Sequence, residues 1–442
     1  MINDILKSYN GTCIIDENSS YSFDDLTNQI EKFRVNIKKE IIKNENIVIY
    51  SDYNFHSISL LLLLSEYPVN IVPIVKTTEK EFSDKISSFN PHKIISFDKR
   101  GSLIVKNLNS NSTPSNEYTI YTTHGDAGII LFSSGTTGKP KVMIQNFSEI
   151  IKSIKKPRRK RSLIFIILLM FDHIGGLNTL LNCLITGSPF VIPKDRNPST
   201  IINLIEKHKV NILPTTPTFL NLLLIDDNFN PNKLLSLKLI TYGTERMSEV
   251  LLKKINSFLP NIKLLQTFGT SETGILKTKS KSSDSLFFKI VDDEKDFKVV
   301  DGELYLKSKT SIKGYLNHSN ENFKKDGWYA TGDLVETDDD GYMKIIGRKN
   351  KIINVGGLKV FPSEVEGVLN SIEEVIDSTV YGQENNITGN IVCAKIHANF
   401  KDKKLLKSLI KKTCREKLDK FKVPVIILFD ELKITNRGKK DE

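Results

Sequence analysis

Short apolar runs rich in β-branched residues alternate with polar, helix-like segments along most of the chain. An alternation of this kind is typical of α/β proteins, in which buried strands form a largely parallel sheet with helices packed against it. We therefore expect a large α/β body with parallel sheet. The predicted strands lie at 47–50, 71–75, 93–97, 163–170, 190–193, 210–214 and 237–243, and helices are predicted at 199–209 and 247–259.

The pattern changes at about residue 286, where short strands follow one another with tight turns and no helices between them. We expect a small antiparallel β unit over about 286–346. Residues 352–442 mix helices and strands again, which predicts a separate small α+β domain. Because 442 residues are too many for one ordinary core, residues 1–346 are expected to form a large N-terminal domain. In the small domain, helices are predicted near 362–370 and 402–418, and strands near 376–381, 390–397 and 423–429.

Cysteine usage and charge narrow the class of protein. The 4 cysteines lie far apart and form no CxxC pair, so neither a zinc site nor a disulfide framework is expected, and a reducing, cytoplasmic compartment fits better. No signal peptide is expected at the N-terminus, and the longest apolar run, 163–171, is about half the length of a membrane span. The formal charge of +11 suits a phosphate-bearing ligand, and the lysine-rich composition of an A/T-biased genome explains it equally well.

The segment LFSSGTTGKPK at 131–141 leads from an apolar run into a loop of hydroxyls, glycines and lysines. It does not match the P-loop pattern GxxxxGK[ST], because Gly135 stands only three residues before Gly138 and Pro140 follows the lysine. Its hydroxyl groups, its pliable backbone and its two lysines nevertheless suit the binding of phosphate. A plain surface turn is the alternative.

Seven motifs follow one another along the chain. They are SSGTTGKPK at 133–141, FDHIGG at 171–176, YGTERM at 242–247, QTFGTSETG at 266–274, WYATGDL at 328–334, GRKNKIINVGGLKVFPSEVE at 347–366 and TNRGKKDE at 435–442. In order and spacing these motifs resemble those of the adenylate-forming superfamily, which includes acyl-CoA synthetases, luciferases and the adenylation domains of peptide synthetases. The resemblance covers roughly residues 20–442 and depends on all seven motifs.

This resemblance implies an activity. The protein would use ATP and Mg2+ to convert a carboxylic acid into an acyl-adenylate, and would then pass the acyl group to the thiol of CoA or of a carrier protein's phosphopantetheine. Positioning and electrostatic stabilisation would supply most of the catalysis. Two alternatives stay open: an adenylation enzyme that loads an amino acid onto a carrier protein, and a relative that binds nucleotide or nucleic acid without turnover. Because the expected charged residues are all present, we do not expect a nucleic-acid partner.

The resemblance also implies roles for individual residues. Lys439 would bridge the carboxylate and the α-phosphate, Glu272 would bind Mg2+, and His173 would lie beside the acyl pocket as a third catalytic residue. Phe268 would stack on adenine and Asp333 would accept hydrogen bonds from the ribose. The loop residues implied to fold over the phosphates are Ser133, Ser134, Gly135, Thr136, Thr137, Gly138, Lys139 and Lys141. The other implied nucleotide contacts are Gly243, Thr244, Glu245, Gly269, Thr270, Ser271 and Arg348.

Four of these residues also have ordinary structural explanations. Glu272 alone is typical of a solvated loop carboxylate, and Asp333 after a glycine is typical of a turn. Lys439 lies three residues from the C-terminal residue of the sequence, where side chains are commonly exposed. His173 is equally compatible with a core histidine whose hydrogen bonds are satisfied.

The segment 347–366 resembles the family's hinge, the tight link at 347–351, and the loop that follows it. Asn350 occupies the hinge position, and asparagine tolerates unusual backbone angles. Gly356 and Gly357 present bare backbone that would let a pantetheine arm pass closely. The double glycine favours a thiol acceptor, either CoA or a carrier protein.

The segment 171–177 is implied to line the acyl pocket, with Phe171, Asp172 and Gly175 as its candidate residues. Asp172 allows two interpretations: it pairs with the ammonium group of an amino-acid substrate, or it holds His173 in one tautomer within a pocket for a neutral-tailed acid. We favour the second. The sequence does not identify the acid.

The basic run KKPRRKRS at 155–162 lacks the interleaved aromatic residues typical of a nucleic-acid interface. A solvated loop is the preferred explanation. Contact with an acidic carrier protein or with the phosphates of CoA is the alternative.

Overall fold

The structure is a computed structural model that describes residues 2–37, 40–108, 117–133, 140–154, 157, 162–398, 400 and 402–430. In these ranges no helix is long and apolar enough to cross a membrane. The α-helices of the described residues are α1 (Ile2–Leu6), α2 (Phe23–Ile37), α3 (Phe55–Leu64), α4 (Glu79–Ser87), α5 (Phe147–Ser153), α6 (Ile174–Thr186), α7 (Pro198–His208), α8 (Pro217–Ile225), α9 (Glu249–Phe258), α10 (Pro362–Leu369) and α11 (Lys403–Lys417).

The strands form several sheets and are numbered in chain order. They are β1 (Thr12–Ile15), β2 (Ser20–Ser22), β3 (Asn46–Tyr50), β4 (Asn70–Ile74), β5 (Lys93–Phe97), β6 (Leu103–Asn107), β7 (Gly128–Ser133), β8 (Lys141–Asn146), β9 (Phe165–Ile166), β10 (Phe190–Val191), β11 (Ile212–Thr215), β12 (Leu239–Tyr242), β13 (Lys263–Gln266), β14 (Phe268–Thr270), β15 (Gly274–Leu276), β16 (Thr278–Ser280), β17 (Phe288–Ile290), β18 (Lys295–Val300), β19 (Glu303–Ser308), β20 (Tyr329–Thr337), β21 (Met343–Arg348), β22 (Ile353–Val355), β23 (Leu358–Val360), β24 (Val375–Asn385), β25 (Gly389–Ala398) and β26 (Ile426–Phe429).

Two largely parallel sheets form the N-terminal body. Their strand orders are β13-β12-β11-β9-β10-β1-β2 and β6-β5-β3-β4-β7-β8. In the described pairings, the antiparallel neighbours in these sheets are the edge strands β2, β6 and β8. The central strands are continuous apolar runs because helices cover both faces of a parallel sheet, and every residue of β4 is buried. The predicted α/β class is confirmed.

A third sheet of the body is antiparallel, with the order β16-β17-β21-β20-β19-β18. It begins at Thr278, earlier than the predicted start near residue 286, because β16 pairs with β17. The tight turn between β18 and β19 is formed by Asp301 and Gly302, both with positive φ (49° and 76°). An Asp-Gly pair is the usual choice for such a hairpin turn.

The C-terminal part has its own sheet of order β23-β22-β25-β24, and β26 pairs with β25. Helices α10 and α11 contribute buried side chains to the core of this unit, among them Val365, Leu369, Leu406 and Ile410. The mixed α+β character predicted for this part is confirmed.

The apolar run 163–170 was predicted as one long strand, and this prediction is wrong in its length. Only β9 is strand, although the amide of Ile167 still donates to the carbonyl of Val191 (2.9 Å). The chain then leaves the sheet and leads to α6, and Arg196 Nε donates to the Leu168 carbonyl (2.8 Å). Four residues of the run are buried in the core, most of them outside the strand, so its apolar character reflects burial rather than sheet pairing; they are Ile166, Ile167, Leu168 and Met170.

Candidate active site

A wide cleft lies between the body, the antiparallel sheet and the C-terminal unit. Its volume is about 2130 Å3, larger than the pocket of a typical small ligand. Four strands of the parallel sheets (β4, β7, β12 and β13) end at the cleft, so that residues at or just beyond their carboxyl ends line it. The carboxyl ends of parallel strands are the usual position of a ligand site in α/β proteins. The residues concerned are Val75, Lys76, Thr77, Ser133, Thr244, Glu245, Gln266 and Thr267.

The hydroxyl-rich loop connects β7 to β8 at the edge of this cleft. Ser133 and Lys141 pair across the two strands. Asn317 fixes the base of the loop, because its Nδ2 donates to the Pro140 carbonyl and its Oδ1 accepts from the Val142 amide (both 2.9 Å). The central loop residues predicted to bind phosphate lie outside the described residues; they are Ser134, Gly135, Thr136, Thr137, Gly138 and Lys139.

Glu272 follows β14 in the turn of the β14–β15 hairpin and is only 8% exposed. Its Oε1 accepts a hydrogen bond from the Tyr315 hydroxyl (2.6 Å), which lies 3.4 Å from the Tyr329 hydroxyl. Burial raises the pKa of both tyrosines, and the Glu272 carboxylate raises them further, so both remain protonated donors. Glu272 is therefore not a solvated loop carboxylate, and the sequence analysis missed Tyr315 as its hydrogen-bond partner.

The backbone of the same hairpin turn is held from two sides. Gln145 Nε2 donates to the Ser271 carbonyl (2.7 Å), and the Ile312 amide donates to the Glu272 carbonyl (2.8 Å). Within the turn, the Thr270 hydroxyl accepts from the Thr273 amide (3.2 Å). These bonds fix the direction in which Ser271 and Glu272 project.

Lys295 anchors the other end of the turn. Its Nζ donates to the carbonyl of Ile275 (2.6 Å) and to that of Thr273 (3.3 Å). Burial lowers the pKa of Lys295 from its ordinary 10.5 to about 8. The sequence analysis missed Lys295, because nothing in the segment EKDFK separates this lysine from its exposed neighbours.

Phe268 and Gly269 line the cleft, as expected for residues that contact a nucleotide. The Phe268 ring stacks on the Phe288 ring with 5.8 Å between the centroids and 27° between the planes. A stacked, buried partner ring holds Phe268 in a fixed orientation at the cleft wall. Glu272 is not among the described residues that line the cleft.

The predicted adenine segment follows β12. Gly243 leaves no room for a side chain, because a Cβ there would lie 2.5 Å from Thr267 Oγ1 and 2.7 Å from the Thr267 carbonyl oxygen. Thr244 has a positive φ of 68° and is exposed at the cleft. Glu245 accepts a hydrogen bond from the Thr218 amide (3.2 Å). Of these three residues, Thr244 and Glu245 line the cleft, and Gly243 is packed closely against Thr267.

Asp333 and Arg348 are direct neighbours on β20 and β21 and line the cleft together. Arg348 Nε lies 2.9 Å from Asp333 Oδ1. Asp333 is 5% exposed, whereas the Arg348 side chain is 57% exposed. Burial raises the pKa of Asp333 and the guanidinium opposes that rise, while the charge of Asp333 raises the pKa of Arg348. Asp333 is therefore a buried, paired carboxylate at the cleft wall rather than an ordinary turn residue.

The predicted acyl segment leads into α6. His173 caps this helix, because its Nδ1 accepts from the Gly175 amide (3.2 Å). Phe171 is fully buried, and its ring meets that of Tyr53 edge to face at 4.9 Å. Asp172 lines the cleft, whereas the other three named residues of this segment are not among the described lining residues.

In the structure Asp172 pairs with Lys85, in place of the contact with His173 that we favoured from the sequence. Asp172 Oδ2 lies 3.1 Å from Lys85 Nζ, and both side chains are buried. Lys85 belongs to α4 and also contacts Glu81. The sequence analysis missed Lys85, because the segment EKEFSDKIS is as charged as a fully exposed helix.

The candidate hinge residue and the two glycines expected to lie beside a pantetheine arm are in different surroundings. Asn350 is exposed, lies in a 3-10 turn at Lys349–Lys351 and lines the cleft. Gly356 and Gly357 form the exposed turn between β22 and β23, with φ of 58° and 88°. They are not among the described lining residues. Lys439 and the basic run, apart from Pro157 and Ser162, lie outside the described residues.

No group of three or more His, Cys, Asp or Glu side chains among the described residues could hold a metal ion alone. Mg2+ is commonly bound by one or two carboxylates that act together with the phosphates of a substrate. A single buried carboxylate on a rigid turn, Glu272, fits that mode. It does not fit a metal held by protein ligands alone.

Comparison with protein families gives two matches that together cover most of the chain. Residues 46–316, more than half of the chain, match the family described as AMP-binding enzyme. Residues 364–439 match the AMP-binding enzyme C-terminal domain.

Two curated relatives show similarity at the sequence level. The 4-coumarate–CoA ligase-like 6 of Arabidopsis thaliana is 28% identical over 299 residues, which span 61% of this chain and 53% of that protein. The 2-succinylbenzoate–CoA ligase of Bacillus licheniformis is 27% identical over 320 residues, 68% of this chain and 65% of that protein. The chain thus spans between about half and two thirds of the length of these relatives.

Solved structures share the fold over nearly the whole chain. The anthranilate CoA ligase AuaEII in complex with anthranoyl-AMP has a TM-score of 0.82 at 19% identity and covers 99% of this chain and 95% of its own. ATP-bound MatB from Rhodopseudomonas palustris has a TM-score of 0.79 at 17% identity and covers 99% and 97%. At this level of identity the likeness establishes the fold.

Proposed function

The chain belongs to the family of AMP-binding enzymes, and from that premise we propose that it activates a carboxylic acid as an acyl-adenylate and transfers the acyl group to a thiol. The supporting observation is the position of the Asp333–Arg348 pair on the wall of the cleft where the hydroxyl-rich loop begins and ends. CoA is the favoured acceptor, because the curated relatives named above are CoA ligases.

In the first step a carboxylate oxygen of the acid attacks the α-phosphorus of ATP. The bond between the α-phosphorus and the bridging oxygen breaks, and pyrophosphate leaves with that electron pair. Catalysis requires the two anions to be held together: the loop hydroxyls and lysines would bind the phosphates, and Lys439 would bridge the carboxylate and the α-phosphate. Asp333 would accept hydrogen bonds from the ribose, and the Arg348 guanidinium, which opposes the rise in the pKa of Asp333, would face the phosphates.

A magnesium ion would neutralise charge on the departing pyrophosphate. Glu272 would hold it together with phosphate oxygens. The Tyr315 hydroxyl fixes one oxygen of Glu272 at 2.6 Å, so the carboxylate is oriented before the nucleotide arrives. Such outer contacts commonly matter nearly as much as the ligand itself.

In the second step the acceptor thiolate attacks the acyl carbon, and the carbon–oxygen bond to AMP breaks. Gly356 and Gly357 are not among the described residues that line the cleft. Their proposed role therefore requires the C-terminal unit to turn about the link at 347–351, with Asn350 at the hinge. We propose that the two domains that move relative to each other in this step are residues 1–346 and 352–442.

The proposal is tested with ATP, Mg2+, CoA and a panel of fatty, aryl and amino acids, with AMP, pyrophosphate and thioester as readouts. We expect AMP and thioester to form together with at least one acid. Asp333→Asn should lower kcat/KM by about 100-fold, because a buried charged partner of the nucleotide and of Arg348 is lost. Asp339→Asn, an identical change at an exposed position near the same strands, is the control. Failure to form AMP with any acid contradicts the proposal.

A further inference from the structure

An ion pair that the proposed chemistry does not use lines the cleft. Lys85 Nζ is 3.1 Å from Asp172 Oδ2, the two side chains are 3% and 4% exposed, and both residues line the cleft. Lysine is among the residues least often buried completely. Among the residues of α4, all of them described, Lys85 is the one that is fully buried. The ammonium group of Lys85 is therefore directed toward the cleft and not toward solvent.

Other polar and charged groups contact the Lys85–Asp172 pair. Lys85 Nζ also lies 3.0 Å from Glu81 Oε1, and the Thr77 hydroxyl donates to the other Glu81 oxygen. The Glu81 side chain is 44% exposed, so solvent screens its charge, whereas the buried pair is neutral as a unit. Asp172 Oδ1 accepts no hydrogen bond from the described residues.

Stability alone does not account for the pair. A buried ion pair is usually no more stabilising than well-packed apolar side chains, because both charges lose their hydration. The neighbours of the pair in the cleft lining include Phe132 and Met170, against which apolar side chains would pack well. The position of the pair at the cleft points instead to selection of a ligand.

We infer that Lys85 and Asp172 form a charge filter that restricts the proposed acid substrate to carboxylic acids with an uncharged tail. A charged group on the tail would lose its hydration beside a pair that has no net charge, and its attraction to one partner would be offset by repulsion from the other. Like charges brought together in a desolvated site disfavour the wrong ligand strongly. The inference rests on the proposed function and adds the substrate class and the residues that set it.

The filter has a consequence that a purely structural ion pair would not have. Removal of one partner leaves the other as a buried, unpaired charge. Lys85→Met leaves the Asp172 carboxylate, which favours an acid with an ammonium group. Asp172→Asn leaves the Lys85 ammonium, which favours an acid with a second carboxylate. The two changes are therefore expected to shift substrate preference in opposite directions.

The test measures ATP–pyrophosphate exchange with matched sets of acids. One set is hexanoate, 6-aminohexanoate and hexanedioate; the other is 3-phenylpropanoate, phenylalanine and benzylmalonate. In the wild type we expect the neutral acid of a set to give the highest exchange. Lys85→Met should raise the ratio of ammonium-bearing to neutral acid by about tenfold or more, and Asp172→Asn should do the same for the dicarboxylic acid.

Three further variants serve as controls. Lys80→Met makes the same change at an exposed position of α4 and should leave all ratios unchanged. The double variant Lys85→Met/Asp172→Asn lacks both charges of the pair, and it should show neither the raised preference for the ammonium-bearing acid nor that for the dicarboxylic acid. If Lys85→Met does not fold, Lys85→Gln keeps a donor for Asp172 while it removes the charge, and the same shift is expected.

The outcomes separate the two proposals. No exchange with any acid in the wild type contradicts the proposed function and the filter with it. Exchange in the wild type, with unchanged ratios in folded Lys85 and Asp172 variants, overturns the filter and leaves the proposed function standing. A wild type that prefers a charged tail also overturns the filter alone.

Discussion

Glu272 and Tyr315 show how a residue's partner defines its chemistry. The carboxylate is buried, oriented by a hydroxyl at 2.6 Å, and carried by a turn whose carbonyls are bonded on two sides. The motif TSETG predicts the position of Glu272, but Tyr315 lies more than forty residues further along the chain, and no local pattern links the two. Partners brought together by tertiary packing are not encoded in any short stretch of sequence. Lys85 and Lys295 were missed for a similar reason, because Lys85 contacts Asp172 and Lys295 contacts the Ile275 carbonyl, both distant in the chain.

The first prediction concerns this pair. Glu272→Gln should lower kcat by about 100- to 1000-fold, the scale of a lost electrostatic contact to developing charge. Tyr315→Phe should lower it by about tenfold and raise the Mg2+ concentration needed for half-maximal activity, because the carboxylate loses its orientation. Steady-state kinetics across a Mg2+ titration measures both effects. Glu321→Gln at an exposed site is the control, and unchanged kcat in Glu272→Gln removes this residue from the site.

The second prediction concerns Lys295 and pH. The folded protein releases the Lys295 proton at about pH 8, whereas the unfolded chain holds it to about 10.5. Between these values the unfolded state binds more protons, so the contribution of Lys295 to stability is fully present above pH 10.5 and is lost as the pH falls through 8.

Denaturant unfolding at pH 7, 8, 9 and 10 tests this, with wild type and Lys295→Met compared at each pH. The free energy of unfolding of the wild type relative to the variant should rise with pH over this interval. Comparison with the variant cancels the titration of all other groups. A difference that stays constant or falls with rising pH contradicts the prediction.

At the scale of elements, sequence patterns predict whether a segment is a strand or a helix better than they predict its length. Strand β5 coincides with the run 93–97, and β3 with 47–50 to within one residue. The run 163–170 contains only a two-residue strand, because apolar content reports burial and the chain there is buried outside a sheet. Helix α4 is amphipathic, and Phe82 and Ile86 pack against the core, but this apolar pattern does not reveal that Lys85 between them is the buried residue.

The third prediction concerns the β22–β23 hairpin. Gly357 has a φ of 88° and nothing within 4 Å of the position of a Cβ, so Gly357→Ala meets backbone strain of about 1 kcal/mol but no clash. Adenylation, measured by ATP–pyrophosphate exchange, should be nearly unchanged. Acyl transfer from a supplied acyl-adenylate to CoA should slow by about tenfold, because the added methyl narrows the path proposed for pantetheine.

Gly302→Ala is the matched control for this prediction. Gly302 has a φ of 76°, equally open space around it, and a place in an exposed turn of the antiparallel sheet. Equal slowing of acyl transfer in both variants would assign the effect to strain in general. The hairpin would then have no part in the second step.

At the scale of the whole molecule, the order of strand-rich and helix-rich segments predicts the architecture well. The parallel body, the antiparallel sheet and the mixed C-terminal unit follow one another as the sequence indicates. Their mutual packing does not follow from the pattern, because contacts such as that of Asn221 Nδ2 with the Ile376 carbonyl (2.9 Å) join segments far apart in the chain. The cleft exists only through such contacts, and its lining brings together part of the motif residues, among them Asp172, Thr244, Glu245, Phe268, Gly269, Asp333 and Arg348.

The central claim is that the acid is activated by transfer of AMP to its carboxylate oxygen. The most direct measurement uses a carboxylic acid labelled with oxygen-18 in its carboxylate, ATP, Mg2+ and CoA, followed by mass spectrometry of the products. The account predicts that AMP gains one oxygen-18 atom per turnover and that pyrophosphate gains none, because the carboxylate oxygen stays on the α-phosphorus when the thioester forms. Label in phosphate or pyrophosphate, or thioester formed with unlabelled AMP, would contradict it.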